Sequence, residues 1–577
     1  MSARDTYTGL RAFVDELGRC GLRDACTSPG SRSTPLVLSL AANERIRSLS
    51  HIDERCAGFF ALGLAKASGR PAALACTSGT AAANYAPAVW EAREARVPLV
   101  VLTADRPPEL RDTGAGQTID QVKLYGSAVK WSVEVDAHRA HEDRVRWLRQ
   151  LACRVYWTTL EGRPGPVHVN FSLREPLVLD APLGEDGGGR AGGRPWVTRP
   201  PAAAPPPAAL LDGLAAELDA RPRAVIVAGR TERDGALGAA LAAFADRAAI
   251  PLLADPLSGA RRGPAAIAHY DPMLRDPDWA DEHAPELVLR AGDLPTSKPL
   301  RHWLHGLDGA LQIAFDPEAA WQDPAGDVAT ILPADPRTVV EALGPRLASR
   351  DGAWLDRWRH CDRAAAQGIA RALEPAGLSE PRVAAELGAG LPPEATLVVA
   401  SSMPVRDAES FFPARAEPPR VLSNRGANGI DGTVSTAFGV AAVHRGPVIL
   451  LIGDVALAHD IGGLLAATRL ALKLTIVLLD NDGGGIFEFL PVAEAAPREV
   501  FETHVATPHG LDFAHAAALY GCGYEAAADV GSFRAALGRA LAAERTSIVA
   551  VRTRRDANTA LHRAAWTEVE ASIRSRG

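Results

Sequence analysis

One pattern occurs twice in this chain at one spacing, and it limits the fold more than any other feature. Residues 72–76 (AALAC) form a short apolar run closed by the turn TSGT. An alanine-rich helical stretch, the strand-like VPLVVLT and Asp105 follow. Residues 448–452 (VILLI) are also apolar and are closed by GDVA, with the helical IGGLLAATRLAL, the strand-like LTIVLL and Asn481 behind them. Ser78 and Asp105 are 27 positions apart, as are Asp454 and Asn481. Apolar runs without alternation, each joined to the next by a helix, imply parallel sheets covered on both faces. The pattern therefore reads as one βαβ unit used twice. In such sheets ligands bind beyond the carboxyl ends of the strands, where both turns lie.

A chain of 577 residues is too long for one core. Residues 184–207 mix Gly and Pro with few packing side chains and read as a linker. A weaker break spans residues 344–375, before the strand-like TLVVASS at 396–402. Three domains are expected, at 1–185, 200–350 and 365–577. The middle one has the runs AVIVAG at 224–229 and ELVLRAG at 286–292, but no GxGxxG after a strand to suggest a dinucleotide. The expected fold class is α/β, with a helix-flanked parallel sheet in each domain. A net charge of -7 argues against non-specific nucleic-acid binding but leaves open a local pocket of arginines. Seven cysteines without a CxxC pair fit reduced, buried thiols. The start MSARDTYTGLRAF has no apolar core segment, and the longest apolar runs fall far short of a membrane span. A soluble, cytoplasmic protein is expected, with neither membrane nor nucleic acid as partner.

A carboxylate directly after a buried strand and before a helix faces the free N–H groups of that helix start, a geometry that suits Mg²⁺ bridging to phosphate. A lone Gly-Asp at a strand end is common in α/β proteins and needs no ligand. Asn481, in DNDGGG at the end of the next strand, changes the balance, because an Asn oxygen and a glycine-rich backbone are further hard ligands. Asp454, Asn481, the Gly483 carbonyl, two phosphate oxygens and a water would complete an octahedral shell. This Gly453-Asp454 pair followed by Asn481 is similar to the diphosphate motif of thiamine diphosphate enzymes. It departs from that motif at Val455, where a second Gly is usual.

Thiamine chemistry needs a carboxylic group against the aminopyrimidine ring, whose protonation promotes loss of the thiazolium C2 proton. Glu54 in HIDER, ahead of the apolar AGFFALGLAKASG, matches the Glu with that role in related enzymes; the plainer reading is an acid in a first helical turn. The strings SPGSRSTP, HIDER, TSGTA, SNRGANGIDG and DGGGIF together resemble the 2-succinyl-5-enolpyruvyl-6-hydroxy-3-cyclohexene-1-carboxylate synthase family of menaquinone biosynthesis. The resemblance runs from about residue 8 to about residue 552 and is weakest across the middle domain.

Membership would imply thiamine diphosphate with Mg²⁺ or Mn²⁺ as cofactors and two dicarboxylate substrates, 2-oxoglutarate and isochorismate. By resemblance Ser402 and Arg406 hold the distal carboxylate of 2-oxoglutarate, and Arg425 lies between the substrates. Ser31, Arg32, Arg106, Gln117 and Lys298 receive isochorismate, with Pro299 a departure where some relatives carry Arg. Ile430 props thiamine into its bent shape, and Phe487, Phe489 and Leu490 are either an apolar lid or ordinary packing. The site would form between chains of a homodimer, which could pair further into a homotetramer. The rival readings are another thiamine diphosphate carboligase or decarboxylase, of the acetolactate-synthase kind, and a silent binding protein of the same fold.

Overall fold

In the computed structural model the described residues are 2–136, 138–183, 188–200, 205–231, 235–348 and 350–575. They build three six-stranded sheets, each with parallel neighbours throughout. The first contains β1 (Asp24–Thr27), β2 (Arg47–Ser50), β3 (Ala72–Cys76), β4 (Leu99–Asp105), β5 (Trp131–Val135) and β6 (Val167–Ser172), in the order β2-β1-β3-β4-β6-β5. The second contains β7 (Ala224–Ala228), β8 (Leu252–Ala254), β9 (Ala266–Ile267), β10 (Leu287–Ala291), β11 (Leu311–Phe315) and β12 (Thr330–Leu332), ordered β12-β11-β10-β7-β8-β9. The third contains β13 (Thr396–Val399), β14 (Arg420–Leu422), β15 (Val448–Gly453), β16 (Thr475–Asp480), β17 (Gly523–Ala527) and β18 (Ser547–Arg552), ordered β14-β13-β15-β16-β18-β17. The first and third orders are the same, so the repeat seen in sequence extends to whole sheets. The middle sheet has the doubly wound order with its reversal between β7 and β10. Strands β3, β4 and β16 are buried along their whole length, as helices on both faces require.

The chain divides into two compact units. Unit 1 is residues 1–202, 424–445 and 459–473; unit 2 is 203–423, 446–458 and 474–577. In unit 1 the helix Glu54–Ser68 lies on the helix Thr433–Ala441. A Cβ on Gly63 would stand 2.0 Å from the Thr436 carbonyl oxygen, and one on Gly439 2.0 Å from that of Phe60. Only glycine allows these backbones to touch. Part of the proline- and glycine-rich stretch, 184–187 and 201–204, lies outside the described residues. The rest is tied down: Trp157 Nε1 donates to the Val197 carbonyl at 3.1 Å, and Trp196 joins the edge of the first core.

In unit 2 the second and third sheets share one core, running from Val225 through Trp358 to Ile573. The charge-rich region at 344–375 is mostly the helix Ala353–Leu373, packed on the helix Arg555–Arg574. All seven cysteines are buried and free. Among the described residues no helix is long and apolar enough to cross a membrane.

Candidate active site

Unit 2 brings Asp454, Asn481 and Gly483 together at the carboxyl ends of β15 and β16. Asp454 is 2% exposed. Its Oδ2 accepts the N–H groups of Asn481 and Gly483, both at 3.0 Å, and its Oδ1 that of Val455 at 2.7 Å. Val455 in place of the usual Gly therefore still closes the turn. Burial raises the Asp454 carboxyl above its ordinary range, and the N–H groups of Gly483 and Val455 pull it back. Asn481 Nδ2 donates to Glu380 Oε1 at 2.9 Å, while its Oδ1 is buried without a hydrogen-bond partner among the described residues. A buried carbonyl oxygen left unpaired costs about 1–3 kcal/mol unless something binds it. Gly483 has φ 139°, and a Cβ there would stand 2.5 Å from the Ala506 carbonyl oxygen. Beside Gly453, the last residue of β15, the space is open. An orphaned oxygen, a carboxylate and a glycine turn fit a cation that takes oxygen ligands and carries phosphate.

Two further groups border this cradle, and the sequence reading missed both. His509 Nε2 lies 3.3 Å from Asp454 Oδ2. Asp480 offers a second carboxylate nearby but is already engaged by Arg552 at 2.7 Å.

Unit 2 also holds Ser402, Arg406 and Lys298. Ser402 caps the helix Met403–Phe411 with φ 75° and ψ -132°, a strained conformation for a residue with a side chain. Arg406 Nη1 donates back to the Ser402 carbonyl at 2.6 Å. Lys298 opens the helix Lys298–His305, whose cap Ser297 accepts from Leu300 N–H at 3.1 Å. Pro299 sits in the first turn, where proline needs no N–H partner. Exposed Lys298 lines a cleft of about 820 Å³ with Arg275, His302 and Trp303. Asp271 ties these two helices together, accepting from Ser297 Oγ at 2.7 Å and from Ser410 Oγ at 3.0 Å. Phe489 packs edge-on against His562 with centroids 5.1 Å apart, whereas Leu490 is exposed.

Unit 1 holds the remaining residues. Glu54 is the first residue of its helix, capped by Asp53, whose side chain accepts from Arg55 and Cys56 N–H. Burial, with the Asp53 charge adding to it, raises the Glu54 carboxyl. Arg32, Arg106, Ser78 and Gln117 gather beyond β1, β3 and β4. Arg106 Nη1 donates to Ser78 Oγ at 2.6 Å, and Gln117 Nε2 to the Ser78 carbonyl at 3.0 Å. Arg32 donates to the Leu173 carbonyl at 2.9 Å, and its buried Nε has no partner among the described residues. Burial, then the like charge of Arg106, disfavours the Arg32 cation, which the exposed Glu175 at 3.4 Å only partly offsets. Ser31 beside it is exposed. The SNRGANGIDG loop that carries Arg425 and Ile430 is held by buried Glu91, which accepts Gly426 N–H at 2.9 Å and Ala427 N–H at 2.7 Å.

One sheet plan used twice, with a buried carboxylate, an orphaned amide oxygen and a glycine turn at the strand ends of the second copy, fits a thiamine pyrophosphate enzyme, and comparison with known families shows that class. The N-terminal TPP binding domain of thiamine pyrophosphate enzymes matches residues 7–124, and the C-terminal TPP binding domain of the same class matches residues 404–551. A solved benzoylformate decarboxylase from Polynucleobacter necessarius shares the fold, with TM-score 0.71, 16% identity, and coverage of 95% of this chain and 99% of that one. Within the class the sequence relatives are more specific. The 2-succinyl-5-enolpyruvyl-6-hydroxy-3-cyclohexene-1-carboxylate synthase of Chloroflexus aurantiacus is 44% identical over 98% of this chain and 97% of its own. Those of Geobacillus kaustophilus and Myxococcus xanthus are 44% and 43% identical, over 97% and 98% of this chain and 97% of each relative. The chain belongs to the 2-succinyl-5-enolpyruvyl-6-hydroxy-3-cyclohexene-1-carboxylate synthase family.

Proposed function

We propose that this chain uses thiamine diphosphate to decarboxylate 2-oxoglutarate and to add the succinyl carbon in a conjugate sense to isochorismate, the synthase step of menaquinone biosynthesis. The observation that carries this reading is the Asp454, Asn481 and Gly483 cradle, in a chain whose full-length relatives bear the synthase name.

Thiamine diphosphate supplies the electron sink for decarboxylation and the nucleophilic carbon for addition. Asp454, Asn481 and the Gly483 carbonyl would hold Mg²⁺ or Mn²⁺ for the diphosphate, whose approach Gly453 leaves open. Glu54 would exchange a proton with the aminopyrimidine ring of the bound cofactor, a task suited to a carboxyl raised by burial. Ile430 would brace the bound thiamine. Ser402 and Arg406 bind the distal carboxylate of 2-oxoglutarate, and Arg425 lies between the two substrates. Ser31, Arg32, Arg106, Gln117 and Lys298 receive isochorismate, whose carboxylate adds to the weak ion pair that Arg32 makes with Glu175. No protein nucleophile is needed, so the chain's work is positioning and charge.

The domains are 1–185 for the pyrimidine, a central 200–350, and 365–577 for the diphosphate and metal. The working form is a cytoplasmic homodimer or a tetramer built from it. One assay tests the reading. With thiamine diphosphate and Mg²⁺ the protein should consume isochorismate only when 2-oxoglutarate is present, and Glu54→Gln should lower turnover by about 100-fold or more at saturating cofactor. Pyruvate serving as well as 2-oxoglutarate would favour an acetolactate-synthase-like carboligase. Failure to bind thiamine diphosphate in calorimetry would favour a silent binding protein.

A further inference from the structure

Asn481 poses a problem that its own loop does not solve. An amide has an oxygen that attracts a cation and an NH₂ that repels one, and a half-turn about the side chain exchanges them. Something must choose. Glu380, the first residue of the helix Glu380–Gly390 and 1% exposed, accepts the Asn481 NH₂ at Oε1. It is itself fixed by two other elements: Thr553 Oγ1 donates to Oε1 at 2.7 Å, and Asn558 Nδ2 to Oε2 at 3.0 Å. With all three neighbours donating to it, this carboxyl acts as an acceptor, so it takes the NH₂ edge of Asn481 and leaves the oxygen edge free.

We propose that Glu380 is a positioning residue for the metal, fixing the Asn481 side chain in the one orientation that leaves Oδ1 available as a ligand. The inference rests on the reading of Asn481 as a metal ligand. It adds a residue from a separate helix, 101 positions away in the chain, whose acidic side chain acts without touching cation or substrate. Losing a partner of this kind lowers metal affinity by about 10- to 100-fold in metalloproteins.

The experiment titrates Mn²⁺ into the full-length protein with thiamine diphosphate present, reading free Mn²⁺ by its EPR signal against a blank of cofactor alone; no turnover is involved. Glu380→Ala should weaken Mn²⁺ binding by about 10-fold or more, and Glu380→Gln, whose NH₂ can also meet the Asn481 oxygen edge, should weaken it by a smaller factor. The decisive pair reverses the hydrogen bond. Asn481→Asp alone sets two carboxylates against each other and should bind poorly. Combining Asn481→Asp with Glu380→Gln lets the introduced amide donate to the introduced carboxylate. That arrangement again leaves an oxygen for the metal and should recover about 10-fold of the loss.

A purely structural Glu380 predicts no such recovery, and the pair decides the matter even if Glu380→Ala fails to fold. Parent-like binding by Glu380→Ala, or no recovery in the double variant, overturns the positioning role alone. Parent-like binding by Asn481→Ala overturns the ligand reading and the positioning role together.

Discussion

Asp460 shows how one buried carboxyl can set the pH response of unit 1. It accepts Ser435 N–H at 2.7 Å and Ser435 Oγ at 3.0 Å, and Cys56 Sγ lies 3.6 Å away. Burial nevertheless pushes its carboxyl up from 3.8 to about 6. The folded chain therefore keeps a proton that the unfolded chain gives up, and this contribution is whole below the lower value and lost as pH rises through the upper one. A shift of that size is worth ~3 kcal/mol. The Tm of the parent relative to Asp460→Asn should fall by several degrees between about pH 4.5 and about pH 7.5 in thermal scans; a flat difference would mean that Asp460 is ionised when folded. No motif pointed to this residue. Asp454 and Asn481 were legible because each ends an apolar run and the spacing between them is repeated elsewhere in the chain. Glu380 and His509 were not, because each meets the cradle from a distant segment that carries no pattern of its own.

At the scale of single elements, the helix Met403–Phe411 carries a visible cost. Ser402, at its cap, holds φ 75°, where a side chain costs about 1–3 kcal/mol. Such strain persists where the surroundings demand it, and the proposed reading supplies the demand, a hydroxyl and the Arg406 guanidinium presented to a carboxylate. Ser402→Gly should therefore raise the Tm while raising KM for 2-oxoglutarate several-fold, with kcat largely kept. A Tm gain with unchanged KM would leave the hydroxyl without a substrate role. The strand-like TLVVASS predicts where β13 ends but not the conformation of its last serine, which depends on the sheet and helix being joined. Composition marks 184–207 as a linker but does not reveal that Trp196 and the Val197 carbonyl within it meet the first core.

Across the whole molecule, the shared strand order of the first and third sheets means that both halves of a thiamine site descend from one architectural plan. The proposed dimer would set the first-sheet half of one chain against the third-sheet half of another. Ile52, two residues before Glu54, is 57% exposed, and Trp90 is 45% exposed, apolar surface that a second chain could cover. Sedimentation equilibrium should give at least a dimer, with activity lost on dilution to monomer; a fully active monomer would refute it.

The repeated sheet was legible from two apolar runs. The division into units was not, because it depends on the close approach at Gly63 and Gly439, which no single segment encodes. That crossing makes the first unit inseparable from the remainder of the gene. Its helix Glu54–Ser68 is finished only by residues translated much later, at 433–441, so a product released at residue 202 would leave that furrow bare. The amino-terminal third is thus not a module that recombination or a protease can hand on with that helix face covered, although its own core is drawn from residues 10–196 alone.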